Sequence, residues 1–501
     1  MSRQYAQVVK DEQASGIVFP STPDGRRSTA ALGRSVVAAA LRVVDPAGSR
    51  AAEHETAWRT NYVAHFRRLL EAGLTTPDSW RAIATAGLDA VHEQMRIVLA
   101  DGTEAPLAAA VTEKPTRTLR TGEIRGEAAP GEFVLPYRGR ELRGDEIRRC
   151  LSGWVEAGTV EPSVAVAVDE VLAHPQWLRL DGRTVVVLGA GAEMGPLPAL
   201  LSWGATVAAV DVARPAVWER IESSARRGAG RLLVPGPGNR GSEADLGGVP
   251  EHAGADLLTE LPSIADWLTG LPGPLVLGNY TYADGAAHVR VSVAVDALTR
   301  RLQQDRDDLA LAFLATPTDV FAVPGEAVRF ATEAYQQRSR TAKLLGRPLR
   351  TVSRGRLLHR AYRPGAAPGI CDSLVPVQGP NYALAKRIQR WRATAARAAG
   401  TTVSFHVAPS TRTRSVVRNR ALAAAFAGAH HFGVEVFEPA TANTLMAALL
   451  VHDLNTDPVV HEHPWQDEAF QAAHGGLWRT PYAPRSALGL AALLGYASRR
   501  T

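Results

Sequence analysis

The chain has 501 residues, 46% of them apolar and 21% charged, which is ample for a packed interior and longer than one hydrophobic core usually organises. The formal charge of +6 comes from 56 Lys+Arg against 50 Asp+Glu scattered along the chain, and no basic run with interleaved aromatics points to a nucleic-acid partner. Cys150 and Cys371 are too far apart in sequence to read as a metal or redox pair, and no stretch approaches the ~20 apolar residues that cross a bilayer, so the expectation is a cytoplasmic protein with no membrane segment and no leader.

In chain order, residues 58–72 and 76–100 carry helical periodicity, 113–143 is polar with Gly and Pro, and 145–171 reads as a further helical stretch. This predicts a mainly helical N-terminal domain over 1–178. Asp181 and Gly182 then form a turn signal, after which short β-branched runs alternate with helical segments. The runs at 184–188, 206–210, 231–234, 274–277, 309–315 and 402–407 predict six strands of an α/β fold, a doubly wound parallel sheet of the Rossmann type spanning 179–465. The Arg-rich stretch 326–375 is too long for one crossover and predicts an insertion before the helix that precedes the sixth strand. Residues 466–501 form a mixed C-terminal tail, and the alanine-rich run 421–429 reads as a packed helix.

The strongest local signal is RTVVVLGAGAEMGPLPALLSWGATVAAVDVARP. Gly189 suits a tight turn, Gly191 a close approach of backbone to a pyrophosphate, and the helix that follows Gly195 offers unpaired amides that attract phosphate. Asp211, 22 residues after Gly189, stands where a carboxylate accepts hydrogen bonds from an adenosine ribose, which favours NAD over NADP. Arg214 keeps NADP open, because it is placed to neutralise a 2′-phosphate. S-adenosylmethionine also sits on such a turn, so a methyltransferase is a further alternative.

The segment GPNYALAKRIQRW places Tyr382 and Lys386 four apart on a helical pattern, hence on one face. Only Lys10, Lys114, Lys343 and Lys386 are lysines, so this pair is not the product of lysine abundance. An ammonium beside a phenol favours proton exchange near neutral pH and reaches a nicotinamide ribose.

With the glycine turn, the Y-x-x-x-K helix, the strand after it and PSTRT, the stretch from about 180 to 455 resembles the short-chain dehydrogenase/reductase superfamily. The resemblance implies an NAD(P)-dependent oxidoreductase that reduces a carbonyl or oxidises an alcohol, with Tyr382 and Lys386 catalytic. It further implies a hydroxyl that polarises the substrate oxygen, for which Thr316, Thr318 and Ser373 compete. Asp256 corresponds to an adenine-contacting acid, Asn279 to the turn after the fourth strand, and Pro409, Thr411 and Thr413 to the stretch near the nicotinamide carboxamide. Leu197 and Ser410 depart from the family's glycines, which keeps a non-catalytic nucleotide-binding protein open. A small-molecule or carrier-bound substrate fits the chain length, and a homo-oligomer is left open. Tyr280, Tyr282 and Asp284 read as pocket lining or turn packing. His452, His461, Glu462 and His463 lack the spacing of a metal site, and no metal is expected.

Overall fold

The computed structural model describes residues 15–22, 25–99, 101–115, 117–237, 253–340, 344, 348, 351–354 and 356–497. Lys10, Lys343, the N-terminal 14 residues read for a leader and part of the expected insertion lie outside the described residues. Contacts group the chain into two compact units. One comprises Met1–Glu132, Gln176–Phe313 and Gln378–Ser404, the other Phe133–Pro175, Leu314–Val377 and Phe405–Thr501. The expected division at 178/179 and 465/466 follows the chain, whereas these units interleave, because strands and helices distant in sequence pair with one another.

A seven-stranded, mostly parallel sheet dominates the described residues. Its strands are β1 (Leu119–Arg125), β2 (Thr184–Leu188), β3 (Thr206–Val210), β4 (Arg231–Pro237), β5 (Leu275–Asn279), β6 (Leu309–Ala315) and β7 (Val403–Val407), in the spatial order β7-β6-β5-β2-β3-β4-β1. Strands β2 to β7 are the six expected from sequence, with ends shifted by up to three residues. Their runs, such as TVVVL and LVLGN, are buried along their whole length, as parallel strands covered on both faces must be. Registers are one to one, Thr184 opposite Thr206 on one side and opposite Leu275 on the other.

The chain lays β3 and β4 to one side of β2, then returns to lay β5 and β6 on the other. The reversal falls between β2 and β5, the switch point where open α/β sheets bind ligands at the carboxyl ends of their strands. The seventh strand was not expected. β1, from the polar stretch with Gly and Pro, pairs antiparallel with β4 over Leu119–Arg125, with Leu119, Gly122 and Ile124 buried and the residues between them more exposed. The sheet is therefore parallel except at this edge.

In the first unit, the helix Pro77–Gln94 opens with Pro77 behind the N-cap Thr76, whose hydroxyl accepts the Ser79 amide at 3.0 Å. Trp391 of helix Gly379–Ala398 lies so close to Gly87 that a Cβ there would fall 2.4 Å from its ring, so two helices far apart in sequence share one core. In the second unit, the stretch 145–171 forms two helices, Asp145–Glu156 and Pro162–Ala173, since Gly158 takes φ +70° and Pro162 starts the second. The expected insertion is bracketed by an antiparallel pair, Val320–Val323 with Gly369–Asp372. The tail supplies core: Trp478 and His474 are fully buried, and helix Pro484–Ala497 crosses helix Arg420–Gly428 backbone to backbone, a Cβ on Gly428 falling 2.0 Å from the Ala491 carbonyl oxygen. No helix among the described residues is long and apolar enough to cross a membrane.

Candidate functional site

At the end of β2 the backbone turns at Gly189, which takes φ +77°, a region that costs an L side chain about 1–2 kcal/mol. A Cβ there would lie 2.9 Å from Thr281 Cα, in the loop after β5, so the glycine is required twice over. The Gly191 amide donates to Asp211 Oδ2 at 2.8 Å, and the Val212 amide to Asp211 Oδ1 at 2.8 Å. Burial raises the Asp211 carboxyl, outweighing these two bonds and the charges of Arg214 and Arg220. Asp211 thus ties the glycine turn to the end of β3. The expected helix follows Gly195, starting at Leu197 and running only to Trp203, with Pro198 in its first turn; Gly195 itself closes a tight turn, its amide bonded to the Ala192 carbonyl at 3.1 Å. Asp256 accepts the Leu258 amide at 2.8 Å and so shapes its own turn, while the neighbouring Ala255 amide reaches the Asp211 carbonyl at 3.0 Å. Asn279, buried at the end of β5, accepts the Thr281 hydroxyl at 2.8 Å.

Tyr382 and Lys386 lie on helix Gly379–Ala398 in this same unit, both half-buried. The Lys386 ammonium donates to Gln389 Oε1 at 3.1 Å. Facing them is helix Ala286–Asp305, whose first turn carries His288. The His288 ring stands 5.4 Å from the Tyr382 ring and 5.3 Å from Tyr282, and it is 1% exposed. Burial and then the Lys386 charge push the imidazole down to about 3, the Thr281 backbone opposing, so it is neutral across the physiological range. Neither ring nitrogen has a hydrogen-bond partner.

Further along the two helices the Arg392 guanidinium clasps Asp296 at 2.7 and 2.8 Å, and His92 meets the same carboxylate at 2.6 Å. Burial would raise Asp296, but Arg392 and His92 outweigh it and hold the carboxyl well below the usual range. Between these ends lie Ser292 and Gln389, each with a buried polar atom that lacks a partner. A polar seam therefore runs between two otherwise apolar helix faces.

The sites that the resemblance assigned elsewhere fall in the second unit. The Thr316 and Thr318 hydroxyls are 2.9 Å apart, and Ser373, buried, donates its hydroxyl toward the Pro317 and Asp319 carbonyls at 2.6 and 2.8 Å. The three rivals thus occupy one place, with Ser373 clamping the loop that carries the two threonines. The Thr411 hydroxyl donates to the Pro409 carbonyl at 2.8 Å, and that of Thr413 pairs with Ser415 at 2.9 Å. Thr318, Ser373 and Ser410 also line an apolar cavity closed by Leu422, Phe426, Phe432 and Leu488.

The histidines weighed as metal ligands are engaged otherwise. His452 meets Glu170 at 3.1 Å and Gln471 at 3.1 Å, His461 meets Asp467 at 2.8 Å, and His463 caps helix Pro464–Ala469. Sequence reasoning missed His288, Thr281, Arg220 and Gln389. A signal for His288 existed: His288, Ser292 and Asp296 recur at i, i+4, i+8, a polar stripe that an amphipathic reading assigns to solvent but that the structure buries.

No protein-family model and no curated protein matches the chain. Among solved structures it has similarity to A-type ketoreductases from a modular polyketide synthase (16% identity, TM-score 0.30, covering 55% of this chain and 47% of that one). It is similar also to an A1-type ketoreductase (16% identity, TM-score 0.30, 63% and 54%) and to a thiolation-reductase di-domain from an archaeal non-ribosomal peptide synthetase (13% identity, TM-score 0.27, 54% and 52%). The chain spans about half the length of these structures, and at such TM-scores the likeness carries no argument about fold or activity.

Proposed function

We propose that the chain is an oxidoreductase that binds a nicotinamide dinucleotide at the β2–β5 switch point and transfers hydride between it and a carbonyl or alcohol substrate. One observation carries this reading: the glycine turn abuts Thr281, and Tyr382, Lys386 and His288 gather in the same unit just beyond the loop that Thr281 begins. The residues suit the nucleotide, since Gly189 admits no side chain and Asp211 holds the turn in place.

A bound nicotinamide ring supplies or accepts the hydride. Tyr382 gives its hydroxyl proton to the substrate oxygen in reduction and takes it back in oxidation. Lys386, steadied by Gln389, holds positive charge beside that phenol and a ribose hydroxyl. The Ser373 proton is committed to the Pro317 and Asp319 backbone carbonyls, which makes this serine a poor candidate for polarising a substrate oxygen. Asp211 favours NAD, while Arg214 and Arg220 near it keep NADP in play. A small or carrier-bound carbonyl compound is the substrate class we propose.

Titration of the purified protein with NADH and NADPH, followed by nucleotide fluorescence, tests the first step; binding of neither at millimolar concentration sinks the reading. Tyr382→Phe should then lower turnover by about 10²–10⁴-fold while nucleotide affinity stays within about twofold. Unchanged turnover would remove Tyr382 from the chemistry, and a wild-type protein that binds nucleotide without turning over would be a binding protein.

A further inference from the structure

A neutral imidazole has one donor and one acceptor, and in His288, 1% exposed, neither finds a partner at hydrogen-bond geometry, the nearby Thr281 backbone included. An unsatisfied buried polar group is destabilising, so an apolar ring of the same shape would be the more stable choice beside Tyr282 and Tyr382. Ser292 and Gln389 also carry unpaired atoms, but they lie further along the helix pair toward the Asp296–Arg392 ion pair. His288 differs from them in position. It stands in the first turn of its helix, directly after the loop that follows β5, and that loop touches the glycine turn through Thr281.

We propose that His288 is a nucleotide-binding residue, its ring hydrogen-bonding a ribose hydroxyl of the nicotinamide dinucleotide beside Lys386. This rests on the dinucleotide reading above. A hydroxyl both donates and accepts, which is what a neutral imidazole answers. The low imidazole pKa fits the role, because a second cation next to Lys386 would repel it. Tyr282 and Tyr382 on either side hold the ring and so set the direction of its nitrogens.

The test uses full-length protein, with His288→Phe, which keeps a ring and deletes the nitrogens, and His288→Gln, which keeps a donor and an acceptor. Thermal unfolding is measured without nucleotide, and Kd for NADH and NADPH by fluorescence. The expected result is that His288→Phe melts at or above the wild type and binds the preferred nucleotide about fivefold to tenfold more weakly, while His288→Gln recovers affinity to within about threefold. Unchanged affinity in His288→Phe overturns the proposal. So does a melting point well below wild type in both variants, which assigns the ring to packing. Failure of the wild type to bind either nucleotide sinks the dinucleotide reading itself, whereas wild-type binding with an indifferent His288→Phe sinks only this inference.

Discussion

The two most deeply buried histidines among the described residues, His288 and His474, fall one in each compact unit and have opposite surroundings. In the second unit His474 uses both nitrogens: Nε2 meets Glu161 at 3.0 Å and Nδ1 accepts the Gly476 amide at 3.0 Å, with the ring stacked on Trp478 at 4.7 Å. Glu161 also takes the Arg479 guanidinium at 2.7 and 3.0 Å. In the first unit His288 has two tyrosine rings beside it and no partner at hydrogen-bond geometry, only the Thr281 backbone nearby. Burial lowers the pKa of both, so titration behaviour alone does not tell them apart. Pairing does. A closed set of charges is what a fold needs to bury Glu161, whereas an open set is what a ligand needs to find something to bind.

The largest effect should come from opening the closed set. Glu161→Gln leaves Arg479, 8% exposed, without its counter-charge and should cost about 3–5 kcal/mol in chemical denaturation. A loss below ~1 kcal/mol would erase the contrast. The pH dependence follows the same set. Burial would raise the Glu161 carboxyl, but His474 and Arg479 outweigh it and hold it at about 2, below its ordinary value. Its contribution is therefore fully present above the usual glutamate range and lost as pH falls through that range toward 2. Denaturation midpoints from pH 7 to pH 3 should fall for the wild type and stay flatter for Glu161→Gln; parallel curves would show that the carboxylate is not what acid breaks.

A smaller effect tests the open site. Gly189→Ala must take φ +77° and press on Thr281, costing about 1–2 kcal/mol from the backbone region alone, with nucleotide affinity reduced in the same protein. Full affinity for NADH or NADPH in that variant would detach the glycine turn from the nucleotide. Smallest is Ser373→Ala, which frees the Pro317 and Asp319 carbonyls at a cost of about 1 kcal/mol. If Ser373 only clamps its loop, the variant keeps turnover; a hundredfold loss would return it to the chemistry and place it above Thr316 and Thr318.

Residues 184–210 show how much a local pattern can specify. Thr184–Leu188 and Thr206–Val210 are apolar after their first residue, so they must be buried on both faces, and the glycine between them is demanded by a turn that no other residue enters cheaply. The spacing of Tyr382 and Lys386 likewise follows from helical geometry, and the helix Gly379–Ala398 bears it out. The edge strand Leu119–Arg125 was illegible because its seven residues include Gly122 and three charges, and only pairing with β4 makes a strand of them. The interleaved units were illegible for the same reason, since which helix shares Trp391 with Gly87 depends on no local feature.

Period and turn chemistry, which act between near neighbours in the chain, were enough to determine the six parallel strands, the glycine turn with its acid, and the Tyr–Lys helix face. Strand order, the antiparallel edge, the meeting of Ser373 with the loop of Thr316 and Thr318, and the buried imidazole of His288 were decided by contacts between residues tens to hundreds of positions apart. Those contacts depend on how whole faces pack, and packing is a property of the assembled chain.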